Sequence, residues 1–247
     1  MKSSFQFDKI SVRLAIGAGL FAGLSVVLFR MELIDFRFAV SGLAISALSG
    51  TLAALLGVIA MIKAMMQRKS ALSALIGSLL GFVVAMPVLF SVLGSSGLPH
   101  IHDITTDLDN PPVFSVIPSL RIETDNPLDR QFPDLAQLQR EGYPDLKPLQ
   151  FNRSPEAVFE RALQLIKSRG WQIAASASSA EKGIIEATAV TPVMGFKDDV
   201  IIRIQNTGEK VQVDMRSVSR VCLSDLGANA KRIRQFLNDL ENDQSDP

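Results

Sequence analysis

The side chains best suited to chemistry lie in the last third of the chain, between residues 186 and 232. They combine carboxylates, guanidinium groups, hydroxyls and one amide: Glu186, Asp198, Asp199, Arg216, Ser217, Ser219, Arg220, Asp225, Asn229 and Arg232. Guanidinium groups bind carboxylates or phosphates through paired hydrogen bonds, and a helix N-terminus offers free N–H donors to an anion. The pattern predicts a polar cluster that either binds an anionic ligand or fixes the strands against the last helix. The structural role is favoured, because neighbouring carboxylates already neutralise the arginines.

Catalysis by this cluster would require a carboxylate that reaches a substrate proton with a tuned pKa. Asp198 and Asp199 are adjacent, so in a strand they point to opposite faces and do not form a catalytic pair. The enzyme hypothesis is therefore that Arg216 and Arg220 bind an anionic envelope substrate while Asp199 or Asp198 transfers a proton. For Asp198, accepting backbone hydrogen bonds from the preceding loop is the simpler interpretation.

A metal site has a weaker basis in the sequence. His100 and His102 are the only two histidines, and Asp103 follows them. In an extended segment residues i and i+2 share one side, so two imidazoles and a carboxylate could ligate a metal. We interpret this segment as a polar stretch at the membrane surface that docks the arm, and predict no metal. No cofactor is predicted either, because the chain has no glycine-rich phosphate loop, G-x-S-x-G, H-E-x-x-H or paired-cysteine motif.

The elements that position these residues follow the order β-α-β-β-β-β-α from residue 149 onward. Ser154 and Pro155 are typical of a helix start, and Gly170 is typical of its end. The predicted strands are Leu149–Phe151, Trp171–Ala177, Ile184–Val190, Asp199–Gln205 and Val211–Val218, and the predicted helices cover about 155–169 and 226–240. This order predicts an α+β domain with an antiparallel sheet and two helices on one face.

The hairpin that carries the charged residues has a predicted register. A four-residue loop at 206–209 would pair Gln205 with Lys210. Continued along the strands, this register places Ile204 opposite Val211, Ile202 opposite Val213 and Val200 opposite Met215 on an apolar face, with Arg203–Gln212, Ile201–Asp214 and Asp199–Arg216 on a polar face. Opposed side chains lie about 5 Å apart, so the register predicts a contact between Asp199 and Arg216.

A proline-rich arm precedes this domain. Eight of the twelve prolines fall between Pro99 and Pro148, and proline removes a backbone donor and disfavours helix before it. The arm nevertheless carries apolar side chains that usually seek burial, namely Phe114, Ile117, Leu120, Ile122, Phe132 and Leu135. We therefore predict an extended arm packed on the domain, and the domain bounds 1–97, 98–148 and 149–247.

Three apolar runs predict membrane-spanning helices at about 12–29, 38–62 and 71–93. Each has about 18 to 25 residues, which suffices to cross a hydrocarbon core of roughly 30 Å. Gly19 with Gly23 and Gly77 with Gly81 have the GxxxG spacing that permits close helix approach. We interpret it first as packing within the chain, with homo-oligomerisation as the alternative.

The distribution of charge predicts the orientation of these helices. The chain has 25 basic and 25 acidic residues, is 47% hydrophobic and only 20% charged, which argues against a nucleic-acid-binding protein. Residues 1–97 hold 8 basic and 3 acidic residues, whereas 98–247 hold 17 and 22. The N-terminus and the loop after the second run carry the Lys and Arg that mark cytoplasmic segments. The C-terminal domain is thus expected outside the inner membrane, in the periplasm of a Gram-negative cell.

The polar motifs resemble those of the domain of unknown function 1499 family, in the version with an N-terminal membrane region. The resemblance rests on Phe196 with Asp198-Asp199, on Arg216-Ser217-x-Ser219-Arg220, on Ser224-Asp225-x-Gly227-x-Asn229-x-x-Arg232-Ile233, and on His102–Asp107 with Pro111-Pro112. It covers about the last hundred residues well, and one departure is Cys222, where family members commonly have glycine. The resemblance therefore implies no cysteine nucleophile, and the family name implies no established activity.

Three functional hypotheses follow from the sequence. The leading one is a non-enzymatic envelope protein whose α+β domain binds a partner protein or an anionic envelope ligand. The second is the enzyme described above, and the third is an accessory role in transport, using polar side chains within the helices: Ser41, Ser46, Ser49, Thr51, Ser73 and Ser78. The lipid bilayer is the expected partner in all three cases.

Overall fold

A computed structural model describes residues 4–130 and 134–242, so the predicted arm residue Phe132 lies outside the described part. The chain divides into two compact units, Met1–Ser96 and Gly97–Pro247.

The first unit consists of three long helices, α1 (Ser4–Arg30), α2 (Phe36–Met66) and α3 (Leu72–Gly94). The segments Phe7–Arg30, Phe36–Met66 and Leu72–Gly94 are long and apolar enough to cross a membrane. The predicted spans lie within these helices except for residue 71, which directly precedes α3, so the three membrane-length helices are confirmed.

Small residues line the contacts between these helices, while large apolar side chains point outward. A Cβ atom on Gly50 would lie 2.8 Å from the carbonyl oxygen of Gly81, and one on Gly81 would lie 2.5 Å from that of Gly50. Ser11 Oγ donates to Ala53 O at 2.8 Å, and Ser78 Oγ donates to Ala54 O at 3.2 Å. The Gly77–Gly81 motif thus packs within the chain, as expected for helices that approach closely in lipid.

The second unit is an antiparallel α+β domain, as predicted. Its elements are β1 (Asp103–Thr105), a 3-10 helix (Ile117–Leu120), α4 (Leu135–Gly142), β2 (Leu149–Phe151), α5 (Pro155–Ser168), β3 (Gln172–Ser178), β4 (Lys182–Val190), β5 (Lys197–Asn206), β6 (Val211–Ser219) and α6 (Ala228–Asn242). The order from β2 to α6 is the predicted one, whereas β1, the 3-10 helix and α4 add regular structure to the arm. The strand order is β1-β6-β5-β4-β3, and β2 also pairs with β6.

Local sequence signals explain the bounds of α5. Ser154 Oγ accepts a hydrogen bond from Ala157 N at 3.2 Å, and Pro155 occupies the first turn, where its missing N–H has no partner to lose. Gly170 adopts φ +66°, the left-handed conformation that ends many helices.

Both faces of the sheet are covered. On the helix face, α5 and α6 pack over Val200, Ile202 and Met215 in the main core. On the arm face, Phe114 and Ile117 pack with Ile201, Val218 and their neighbours in a smaller core. Charged side chains of the sheet therefore lie in a covered layer instead of at a solvent-facing surface.

The predicted hairpin register is wrong by two residues. Asn206 pairs with Val211, so the loop is 207–210, and Ile204 lies opposite Val213 instead of Val211. A two-residue shift keeps every side chain on its predicted face, which is why the apolar set is correct although each partner is wrong. Asp199 consequently lies opposite Val218, and Arg216 lies opposite Ile201.

Candidate functional site

The ten candidate residues do not form one cluster, because the strand alternation divides them between the two faces of the sheet. Glu186, Asp199, Arg216 and Arg220 interact on the arm face. Asp198, Ser217, Ser219, Asn229 and Arg232 interact on the helix face, with Asp225 at the start of α6. We call these the arm-face group and the helix-face group.

Arg216 is the centre of the arm-face group, and its partner is Asp103 instead of the predicted Asp199. Arg216 Nε and Nη2 lie 3.0 and 2.7 Å from the two oxygens of Asp103, and both side chains are 3% exposed. The same guanidinium donates to Pro112 O at 3.0 Å and to Leu128 O at 2.6 Å. Arg216 therefore joins strand β6, strand β1 and two points of the arm.

A second arginine shares the Asp103 carboxylate. Arg130 Nη1 lies 2.6 Å from Asp103 Oδ1. Burial lowers the pKa of the Arg130 guanidinium, while the charge of Asp103 acts in the opposite direction. Two guanidinium groups on one carboxylate leave a local positive charge.

Asp199 is fully buried and pairs with other arginines. Arg220 Nε and Nη2 lie 3.0 and 2.9 Å from its two oxygens, Arg121 Nε lies 3.0 Å from Oδ2, and Thr188 Oγ1 donates to Oδ1 at 2.7 Å. Burial lowers the pKa of Arg121, and the charges of Asp199 and Asp125 oppose that effect. Both oxygens of Asp199 are thus engaged, which leaves it poorly suited to accept a substrate proton.

The arginines around Asp199 also donate to the arm. Arg220 Nη1 donates to Leu120 O at 3.1 Å, and Arg121 Nη1 donates to Asn126 O at 2.6 Å. The arginines of these ion pairs therefore satisfy backbone carbonyl groups of the arm.

Glu186 holds the arm through backbone donors. Its oxygens accept hydrogen bonds from Ser115 N at 2.7 Å, Ser115 Oγ at 2.6 Å, Val116 N at 3.0 Å and Ile117 N at 2.9 Å. Burial raises the pKa of the Glu186 carboxyl, but these hydrogen bonds outweigh burial, and the pKa lies below its ordinary value. The charge caps the 3-10 helix and fixes it against β4.

A further buried arginine, Arg203, extends the same layer. Arg203 Nη2 lies 2.8 Å from Asp214 Oδ2 on the neighbouring strand and 2.9 Å from Asp107 Oδ2 of the arm. Arg203 was predicted to lie on the polar face, and it is only 8% exposed. The predicted polar face is therefore an internal layer between sheet and arm.

The helix-face group fixes α6 against β6. Ser217 Oγ donates to Asn229 Oδ1 at 2.6 Å, and Asn229 Nδ2 donates to Ser219 Oγ at 2.9 Å. Arg232 forms an ion pair with Asp198 and donates to Ser217 Oγ. Asp198 therefore has a charged partner on α6, where the sequence analysis expected backbone donors.

Asp225 organises the start of α6. Its oxygens accept hydrogen bonds from Gly227 N and Asn229 N, each at 2.8 Å. Burial raises the pKa of the Asp225 carboxyl, and the nearby charge of Asp198 adds to this, against the lowering effect of the backbone hydrogen bonds. Burial likewise raises the pKa of the Cys222 thiol, so the thiolate is disfavoured.

Cys222 has the backbone geometry of a glycine position. Its φ is +71°, a left-handed conformation that costs most residues free energy and suits glycine. The left-handed backbone thus explains why glycine, which the family resemblance leads us to expect, suits this position.

The metal candidates have other partners. Asp103 is bound by two arginines, and His102 Nδ1 lies 3.4 Å from Leu223 O. Among the residues that the structure describes, no group of three or more His, Cys, Asp and Glu side chains could hold a metal ion.

Two clefts border the arm. One of about 370 Å³ is lined by His100, His102, Arg130 and Leu223, among others. The other, of about 740 Å³, is lined by Arg130, Arg140 and Arg216 together with arm and α4 residues. Within the described part of the chain, the lining of neither cleft includes Asp198, Asp199 or Arg220.

Sequence reasoning missed several members of the arm-face group. Arg121, Arg130 and Arg203 were not assigned to it, and Asp103 was considered only as a metal ligand. A usable signal was present in and directly after β6, where Asp214, Arg216 and then Arg220, the first residue past the strand, follow the two-residue period of one sheet face.

Comparisons with known proteins agree with the motif resemblance. No curated protein matches the chain. Residues 103–240, which include both polar groups, match the family described as "Protein of unknown function (DUF1499)". The match covers more than half of the chain, which therefore belongs to the DUF1499 family.

Proposed function

We propose that this protein is a membrane-anchored binding or scaffold module of the cell envelope, with its α+β domain on the periplasmic side of the inner membrane. One observation carries the proposal: the charged groups on the arm face of the sheet bind the protein's own arm. Arg216, Asp199 and Glu186 all have buried partners within the domain. The surface that this arrangement creates, and not a reactive group, is then the functional part.

The orientation is supported by the positions of the basic residues. Lys2, Lys9 and Arg13 precede or begin α1, and Lys63, Arg68 and Lys69 surround the connection between α2 and α3. Such clusters are retained in the cytoplasm. A reporter that works only in the periplasm, fused after residue 245, should be active, and the same reporter fused after residue 65 should be inactive. The reverse pattern would overturn the orientation.

The cleft of about 740 Å³ is the proposed binding region, because the three arginines in its lining, Arg130, Arg140 and Arg216, outnumber its two carboxylates, Asp129 and Asp134. Guanidinium groups in a cleft favour a partner with carboxylate or phosphate groups. A photo-crosslinking residue at Gln137, which lines this cleft, should trap one specific envelope component in intact cells. The matched control is the same residue at the exposed Glu160 on α5. Equal labelling at the two positions would contradict a specific binding region.

The enzyme alternative uses the same arginines for an anionic substrate. Its supporting observation is that Arg216 lines the larger cleft. It requires Asp199 to exchange its partners for a substrate proton, and both Asp199 oxygens are held by Arg220, Arg121 and Thr188. Turnover of an anionic envelope compound that is lost in a folded Asp199→Asn variant would favour this alternative over the binding module.

A further inference from the structure

One end of the sheet differs from the other in the character of its exposed side chains. At the end where β4 and β6 finish, the large apolar side chains that are between 41% and 75% exposed include these five: Leu120, Ile122, Val190, Leu223 and Leu226. We call this the apolar end. At the opposite end, the exposed turn residues are polar or small, including Ser179, Ala180 and Glu181 before β4 and Thr207, Gly208 and Glu209 before β6.

The five side chains belong to segments that are fixed to one another. Arg220 directly follows β6. Its side-chain Nη1 donates to Leu120 O, and its backbone oxygen accepts a hydrogen bond from Asn126 N at 2.7 Å. Arg220 N donates to Lys197 O at 3.0 Å, and Lys197 pairs with Val190. The arm turn, the end of β4 and the segment after β6 therefore meet at this end of the sheet.

The loop of Leu223 and Leu226 is also fixed to the beginning of the domain. Asp225 N donates to Ile101 O at 3.2 Å, and His102 Nδ1 lies 3.4 Å from Leu223 O. Leu98 packs against the helix-face core, and its Cδ1 would lie only 2.8 Å from a Cβ atom on Gly227. The apolar end is thus the end at which the chain enters the domain.

The connection from the last membrane-length helix is short. Gly94 ends α3, and Leu98 already packs against the domain core. Three intervening residues can span about 14 Å between Gly94 and Leu98 when fully extended. If α3 crosses the bilayer, the apolar end therefore stays close to its surface, whichever side of the membrane the domain occupies.

We propose that the apolar end contacts the lipid interface of the membrane that α1–α3 cross. Exposed large apolar side chains that gather at one end of a domain indicate an interaction surface, and the short connection favours lipid as their partner. The proposal rests on the membrane anchoring in the proposed function but not on the orientation. It predicts that Leu223, Leu226 and Ile122 enter the interfacial region, while the polar turns at the opposite end face water.

Site-specific fluorescence in the full-length protein tests this proposal. Cys222 is the only cysteine, so Cys222→Gly gives a background for single substitutions Leu223→Cys, Leu226→Cys and Ile122→Cys. Each is labelled with an NBD fluorophore and reconstituted in phosphatidylcholine vesicles, with and without doxyl-labelled phosphatidylcholine. Ala180→Cys and Glu209→Cys are matched controls at the opposite end, and Phe82→Cys on α3 reports membrane insertion.

The expected result is blue-shifted emission at residues 122, 223 and 226 that loses most of its intensity when doxyl lipid is present. Emission from residues 180 and 209 should stay unshifted and unquenched. Quenching at residue 82 without quenching at 223 and 226 would overturn the proposal while membrane anchoring stands. A blue shift at 223 and 226 without quenching by doxyl lipid would also overturn it, because it would indicate contact with protein. No quenching at residue 82 would contradict the anchoring itself.

Discussion

The two faces of the sheet are covered by different kinds of structure and held by different interactions. On the helix face, regular helices with satisfied backbones bury an apolar stripe that includes Ile233 and Phe236. On the arm face, a proline-rich segment lies over the sheet, and buried arginines and Glu186 bind its backbone groups. Between β1 and α4 the described part of the arm has only a short 3-10 helix, so its other buried N–H and C=O groups must be satisfied from elsewhere. The charged family motif on the arm face performs this task.

The largest loss of unfolding free energy is expected from Arg216→Ala. The substitution leaves Asp103 with one of its two arginines and removes the donors to Pro112 O and Leu128 O. Removing one partner of a buried ion pair typically costs about 3–5 kcal/mol of unfolding free energy. Urea unfolding followed by the fluorescence of Trp171, the only tryptophan, measures this loss. Arg234→Ala, which breaks a largely exposed pair with Asp145, is the control and should cost less than about 1 kcal/mol.

A comparable loss of unfolding free energy, with a different distribution of hydrogen exchange, is expected from Ile233→Ala on the helix face. Ile233 is fully buried in the main core, and truncation of such a side chain costs about 2–5 kcal/mol. Because α6 is packed by apolar contacts, hydrogen exchange should accelerate in α5, α6 and the strands under them. Faster exchange confined to the arm in this variant would break the distinction between the two faces.

A smaller, pH-dependent effect is expected from Glu186→Gln. Hydrogen bonds to a charged group contribute about 1.5–3 kcal/mol, and the neutral amide accepts more weakly from Ser115, Val116 and Ile117. The pKa of Glu186 lies below its ordinary value of 4.5, so its stabilising contribution is present above pH 4.5 and is lost as the pH falls through the folded-state pKa. The stability difference between wild type and variant should therefore shrink below pH 4.5. A difference that grows on acidification would contradict the assignment.

The smallest effect is a gain in stability from Cys222→Gly. Glycine relieves the left-handed strain at φ +71°, which costs other residues about 1–2 kcal/mol. Against this, the greater backbone freedom of glycine stabilises the unfolded state by about 0.5–1 kcal/mol. The net expectation is a stabilisation of about 0.5–1 kcal/mol, measured by the same urea titration. Cys222→Ser keeps the strain and should be neutral, so an equal gain in both variants would disprove the backbone explanation.

The sequence predicted the elements that depend on local signals. Ser154, Pro155 and Gly170 locate α5 because capping and φ preferences act within a few residues. The predicted apolar face of the hairpin was also correct. Side chains alternate between the two faces of a strand, so a two-residue error in the register leaves each side chain on its predicted face. The register itself depended on where the loop begins, and the additional Asn206–Val211 pair was not evident from the turn residues.

The partners of the charged residues were harder to predict because they are distant in the chain. Arg216 lies 113 residues after Asp103, and no local pattern indicates that pairing. The residue types and spacing of the motif favour a structural role, namely fixation of the strands against the last helix. That description fits the helix-face group, whereas the arm-face group binds a segment whose contact with the charged residues was not foreseen.

The central claim is that side chains of the sheet satisfy the backbone of the arm. Hydrogen–deuterium exchange in the full-length protein carrying Glu186→Ala tests it most directly, because Glu186 accepts from the amides of Ser115, Val116 and Ile117. Exchange in the arm peptide that contains these amides should become much faster, while α5 and α6 keep their protection. Unchanged protection of residues 115–117, or equal acceleration throughout the domain, would contradict the account.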